Sequence, residues 1–196
     1  MDVAIETSAD SLAAAIRERL ADSPDWLIRP LPDHGVVELA RRGPAVPPKV
    51  VAAAVTDDGH GVEVLAHAWR QARATGATLR VVHVWMGHGN EFGAIDLLLS
   101  QALYNTLDPE SARQAEREVL HDDDPVRALR ALSKEVDLLV VAAAGKRIAP
   151  DRPLGGCVDA LIGQTACPLT IVIPSMTPAW PGQGANLDML QPGLMP

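Results

Sequence analysis

Residues 138–173 read LLVVAAAGKRIAPDRPLGGCVDALIGQTACPLTIVI, and the fold follows from how this stretch alternates. Leu138 to Ala143 and Leu169 to Ile173 are apolar runs without polar alternation, the pattern of parallel strands covered on both faces. Between them Pro150 and Pro153 interrupt regular structure, and Leu154-Gly155-Gly156 leads into a helical stretch that extends to Gln164. Two buried strands joined through a helix predict a parallel crossover unit.

The same alternation continues towards the N-terminus. Val50 to Val55 is a third apolar run, stopped by Thr56-Asp57-Asp58-Gly59, and Leu79 to Trp85 is a fourth. Helical stripes separate them. One carries Val62, Leu65, Trp69 and Ala72 before the stop signal Gly76, and another carries Ile95, Leu98, Leu99 and Ala102 within residues 91–104. A third carries Ala128, Leu129, Leu132 and Val136 after Asp124-Pro125, an N-cap aspartate followed by a proline at the first helical position. Glu118 to His121 is a weaker strand and completes a set of five. The prediction is an α/β chain with an open, Rossmann-like, five-stranded parallel sheet and helices on both faces.

Composition divides the 196 residues into a main block, 49–174, with an extension on either side. Residues 1–48 carry a helical stripe at Leu12, Ile16 and Leu20, with Ser8 or Asp10 as its cap. A short hairpin of Trp26-Leu27-Ile28 and Val36 to Leu39 follows, then the proline-rich linker Arg41 to Pro48. This extension is expected to pack on the main block or on a partner subunit. Residues 175–196 are rich in Pro and Gly and carry one charge, Asp188, so they are expected to form a flexible tail. The apolar residues within Leu187 to Pro196 suggest a short docking peptide for a protein partner.

Several function classes are excluded or disfavoured. A net charge of −8 is the wrong sign for gripping a nucleic acid backbone or an anionic membrane. No apolar run reaches the roughly 18 residues of a bilayer span, and Asp2, Glu6 and Asp10 replace the basic start of a signal peptide. Two cysteines, Cys157 and Cys167, do not make a disulfide framework, so a cytoplasmic setting is expected. There is no GxSxG elbow and no GxxxxGK[ST] loop, and the SGGxDS and HIGH strings of adenylyl transfer are missing. The run His121-Asp122-Asp123-Asp124 reads as a solvated turn and helix cap rather than a metal cluster, because consecutive residues seldom converge on one ion. His83, inside an apolar strand, reads as a core histidine satisfied by one hydrogen bond, and Cys157 as a packing residue near a helix start.

In open parallel sheets the ligand crevice lies beyond the carboxyl ends of the strands, where strand order reverses. Three segments reach that end: Thr56 to Gly59, His83-Val84-Trp85, and Ala142 to Gly156. In the third, Lys146 and Arg147 bring two cations near Gly155-Gly156, where bare backbone N–H groups could approach a phosphate.

These residues resemble the universal stress proteins. The likeness rests on Val55-Thr56-Asp57, the Leu79-to-Trp85 strand, Asp124-Pro125 opening a helix with Arg127-Ala128-Leu129, and Cys167-Pro168-Leu169-Thr170-Ile171-Val172, in matching order. It implies sheet order 3-2-1-4-5 and a homodimer formed through the last strand, Leu169 to Ile173. Nucleotide-binding members share Gly, two residues, Gly, nine residues, Gly, then Ser or Thr. Here those positions are Ala142, Gly145, Gly155 and Gly156, with spacing kept and two identities changed. The resemblance further implies Asp57 near the nucleoside and Val84 against the base. The expected function is a stress-response regulator, binding ATP or AMP without fast turnover and not acting as an enzyme. The alternative is an interaction module of the same fold that has lost the ligand and works through its N-terminal extension and C-terminal tail.

Overall fold

A computed structural model describes residues 8–56, 60–87, 92–143 and 154–174. The main block forms strands β3 (Val50–Ala54), β4 (Thr78–Trp85), β5 (Glu116–His121), β6 (Leu138–Ala142) and β7 (Leu169–Val172). Its helices are α2 (Gly61–Thr75), α3 (Phe92–Thr106), α4 (Pro109–Gln114), α5 (Pro125–Leu132) and α6 (Gly156–Leu161). Ahead of them stand α1 (Ala9–Arg19), β1 (Trp26–Leu31) and β2 (Val36–Arg41).

The sheet has seven strands in the order β1-β2-β7-β6-β3-β4-β5 and is mixed, which corrects the expected five-stranded parallel sheet. The five strands of the main block run parallel, with β3 central between β4 and β6. In chain order these five stand third, second, first, fourth and fifth across the sheet. The two added strands come from the N-terminal extension. β1 and β2 form an antiparallel hairpin, and β2 pairs antiparallel with β7 from Val36↔Val172 to Leu39↔Leu169. The last strand, Leu169 to Ile173, expected as an open edge for a symmetry mate, is instead paired along β7 by β2 of the same chain. The reason is physical: a fully buried apolar strand with bare N–H and C=O groups must be covered, and the nearest cover is intramolecular.

Two cores flank the sheet. On one face α1, α5 and α6 bury Leu12, Ile16, Leu129, Leu132 and Leu161 against β6, β7 and β2. On the other α2, α3 and α4 bury Val64, Leu65, Leu99, Leu103 and Ala112 against β3, β4 and β6. α1 starts at Ser8, whose hydroxyl and backbone exchange hydrogen bonds with Ser11 in a capping box, so Ser8 rather than Asp10 is the cap. Its Leu12 and Ile16 are wholly buried, worth about 1.5–3 kcal/mol each. Arg19 reaches Asp159 of α6 at 2.9 Å. The extension is thus built into the sheet and its packing, and is not a projecting arm.

α2 buries Val64, Leu65, Ala68 and Ala72, a stripe slightly rotated from the expected one, with Trp69 half-buried beside it. α4 was not expected; Asp108 caps it through the N–H groups of Glu110 and Ser111. The linker is fastened where it enters β3: the Asp137 carboxylate accepts from the N–H groups of Lys49 and Val50, each at 2.9 Å. The proposed tail peptide, Leu187 to Pro196, lies outside the described residues.

Candidate functional site

Strand order reverses between β3 and β6: from β3 the chain moves outward to β4 and β5, then returns to the other side as β6 and β7. The carboxyl ends of β3, β4 and β6 therefore border one crevice. Val55 prolongs β3 by donating its N–H to Val82 O at 2.8 Å, and the exposed Thr56 follows it.

Val84 lies near the end of β4, opposite Leu120 of β5. It is half-buried and packs in the same core as Ala54, Leu120, Val126, Leu154 and Cys157, so it faces the α5–α6 side. Ala142 ends β6, opposite Val172, and its side chain packs with the core on the α2–α3 side. The methyl that distinguishes Ala142 from glycine thus lies across the sheet from Val84 and α6. Gly155 and Gly156 open α6. The Gly155 N–H donates to Ala143 O at 2.8 Å, and Gly155 O accepts the first helical bond from Asp159 N. Gly156 is exposed, and among the described residues a Cβ built on it meets no atom within 4 Å. Among the described residues no side chain caps α6, whereas Ser8, Asp108 and Asp124 cap α1, α4 and α5. Four further residues of the expected site, Asp57, Gly145, Lys146 and Arg147, lie outside the described residues.

Neighbouring polar groups are committed to structure. The carboxylate of Asp124 accepts from the N–H groups of Val126 and Arg127. Arg127 pairs with Asp122 and Asp123, each at 2.6 Å, and the Arg127 bond, followed by the N–H of Asp124, holds the Asp122 carboxyl down to about 2. The acidic run is a charge-paired turn and cap, as read from the sequence. His83 is half-buried, and its Nδ1 stands 2.9 Å from Val55 O; a carbonyl only accepts, so Nδ1 carries the proton. Burial, with the Asp124 charge behind it, pushes the Cys157 thiol up, away from the thiolate a reactive cysteine needs. Among the described residues no group of three or more His, Cys, Asp or Glu could hold a metal ion.

One residue that shapes the crevice was missed. Gly61 begins α2, and a Cβ there would lie 2.6 Å from Val55 Cγ1, so its lack of a side chain lets α2 close onto the end of β3. The turn-like Gly59-His60-Gly61 was the available signal.

A family model described as the universal stress protein family matches residues 48–172. The chain belongs to the universal stress protein family. Among solved structures, a universal stress protein in complex with cAMP is similar at TM-score 0.52 and 21% identity, over 66% of this chain and 100% of that one. At that identity the likeness is one of fold. A universal stress protein from Lactobacillus plantarum matches at TM-score 0.46 and 17% identity, over 67% and 100% of the two chains. One from Archaeoglobus fulgidus, in complex with dAMP, matches at TM-score 0.42 and 21% identity, over 64% and 96%. No curated protein matches the chain. Among the described residues, no helix is long and apolar enough to cross a membrane.

Proposed function

We propose that this universal stress protein binds an adenine nucleotide, ATP or AMP, in the crevice between the ends of β3 and β6, and that the ligand serves as a signal rather than a substrate. The observation that carries the reading is the reversal of strand order at β3 and β6, with α6, opened by Gly155-Gly156, as the next described helix after β6. The cAMP complex of a chain with the same fold supports an adenine ligand.

The described residues fit such a ligand. Val84 offers an apolar surface for a base, on the same side of the sheet as α6. The Gly155 N–H is spent on Ala143, so the phosphate would be met by the N–H groups of Gly156 and Cys157, above which Gly156 adds no bulk. Asp57, Lys146 and Arg147 complete the proposal as partners for the ribose and phosphates. In the cytoplasm, where these nucleotides are abundant, occupancy would track their levels.

Isothermal titration of the purified protein with AMP and with ATP tests this, with Gly155→Val as the variant that fills the space over the phosphates. Measurable wild-type binding that the variant loses supports the site. Equal binding by both moves the ligand elsewhere. A flat wild-type titration favours the alternative, an interaction module without nucleotide, which the changed identities at Ala142 and Gly156 would explain. Incubation with ATP and assay of ADP separates binding from turnover.

A further inference from the structure

We infer that the β1–β2 hairpin takes, within one chain, the place a second molecule's strand would otherwise hold on β7, and that it ends the sheet there instead of passing the open edge outward. Three independent observations meet on this hairpin.

The first is how completely β2 covers β7. All four residues of β7 are buried, and each is matched in register by a β2 residue. The ladder runs one residue further, where the Ile173 N–H donates to Gly35 O at 2.8 Å.

The second is the outer edge of β1. The Asp25 carbonyl accepts from Arg42 N at 2.7 Å and so faces β2. By strand alternation, Trp26, Ile28 and Pro30 direct their backbone groups outward. Pro30 has no N–H, the Trp26 N–H donates to Ser23 O at 3.4 Å, and Ile28 O accepts from Arg17 Nη2 at 3.3 Å. Each outward residue is thereby blunted against pairing with a further strand.

The third is how the hairpin is tethered. α1, which precedes it, is bound to α6 by Arg19–Asp159. Leu20, the residue after α1, sits so close to Gly163 that a Cβ there would lie 2.9 Å from Leu20 Cδ2. Arg41 lies 4.8 Å over the Trp26 ring, tying the end of β2 to the start of β1. A hairpin held this way is a fixed part of the sheet, and a second copy of the chain finds no strand to extend on this side.

The test is a covalent trap across the β2–β7 ladder. Because Gly35 and Ile173 form a hydrogen-bonded pair, the alternation makes Glu38 and Thr170 a non-bonded pair, with Cα atoms about 4.5 Å apart and within disulfide reach. The chain carrying Glu38→Cys and Thr170→Cys is oxidised mildly and mapped by mass spectrometry after non-reducing electrophoresis. A disulfide within one chain is expected. A disulfide between chains, at 38–170 or 170–170, overturns the inference, and so does the failure of these two cysteines to pair. Should the double variant not fold, hydrogen exchange on the unaltered protein decides. Protection of the Val37, Leu39 and Ile171 amides should agree between about 2 µM and about 200 µM; a tenfold gain at the higher concentration would mean that pairing requires a second molecule.

Discussion

The amide of Ile173, just past the last strand, donates to the carbonyl of Gly35 at the turn of the N-terminal hairpin, 2.8 Å away. Gly35 holds this position with φ of +60°, the left-handed region, closing the turn of Pro32–His34 that joins β1 to β2. A Cβ there would sit 3.6 Å from Ile173 O, so space is adequate and the backbone angle is what demands glycine. Gly35→Ala should therefore cost about 1–2 kcal/mol through the strained angle. Urea denaturation reads this, and an unchanged midpoint would mean that the turn does not constrain the hairpin.

Gly156 is the position where nucleotide-binding relatives are expected to carry Ser or Thr. Among the described residues nothing lies within 4 Å of a Cβ there, and so Gly156→Ser adds a hydroxyl without displacing any described atom. If phosphate lies over this turn, one added hydrogen bond to a charged group should tighten binding by about 1.5–3 kcal/mol. Titration with AMP measures the gain; affinity equal to the wild type would place the phosphate away from residue 156.

His67 of α2 is 3% exposed, and its Nε2 has no hydrogen-bond partner among the described residues. Arg70 Nη2 lies 3.4 Å from Nδ1, and since arginine only donates, Nδ1 accepts and Nε2 carries the proton. Desolvation first, then the Arg70 charge, hold the pKa down to about 4, against an upward pull from Glu38 on β2 and a smaller downward push from His34. The folded pKa lies below the unfolded value near 6.5, so the unfolded chain takes the proton first. Stability is intact above about pH 6.5 and declines as pH falls towards 4, by up to about 3 kcal/mol from this group. His67→Leu should flatten that part of the stability profile, measured by urea melts at pH 7.0 and at about pH 4.5. Parallel profiles for the two proteins would remove His67 as the source.

Asp124 satisfies two N–H groups at the start of α5, whose Leu129 and Leu132 pack under α6. Asp124→Ala should cost about 0.5–2 kcal/mol, while Asp124→Asn, which can still cap, should cost less. Thermal melts compare the two. Equal losses would assign the effect to charge rather than to capping.

The sequence was most legible where each element carries its own signature. Strands β3, β6 and β7 are buried on both faces and read as unbroken apolar runs. β5 lies at the sheet edge with Glu116, Arg117 and Glu118 at its start, so its first half was hidden by charge. α4 repeats at Asp108-Pro109 the cap seen at Asp124-Pro125, but its six residues carry too little apolar periodicity to be read as a helix. The hairpin itself was visible from its turn. Its docking on β7 was not, because pairing between distant segments is chosen by which edges remain bare, a property of the whole sheet. The side on which Ala142 packs was recoverable: Leu138, Val140 and Ala142 alternate with Leu139, Val141 and Ala143 between the two cores.

The ladder between β2 and β7 joins segments far apart in the sequence, Val36 to Leu39 and Leu169 to Val172. During synthesis β1 and β2 leave the ribosome well before β7, and β2 has no place to pair on β7 until that strand has emerged. Until then Leu12, Ile16, Val37 and Leu39, all buried in the finished molecule, wait in water or against transient partners. Contacts between such distant segments are slow to form because a long loop must close first. Docking of the hairpin is accordingly a late step, and a growing chain is exposed to unwanted strand pairing until β7 has been made.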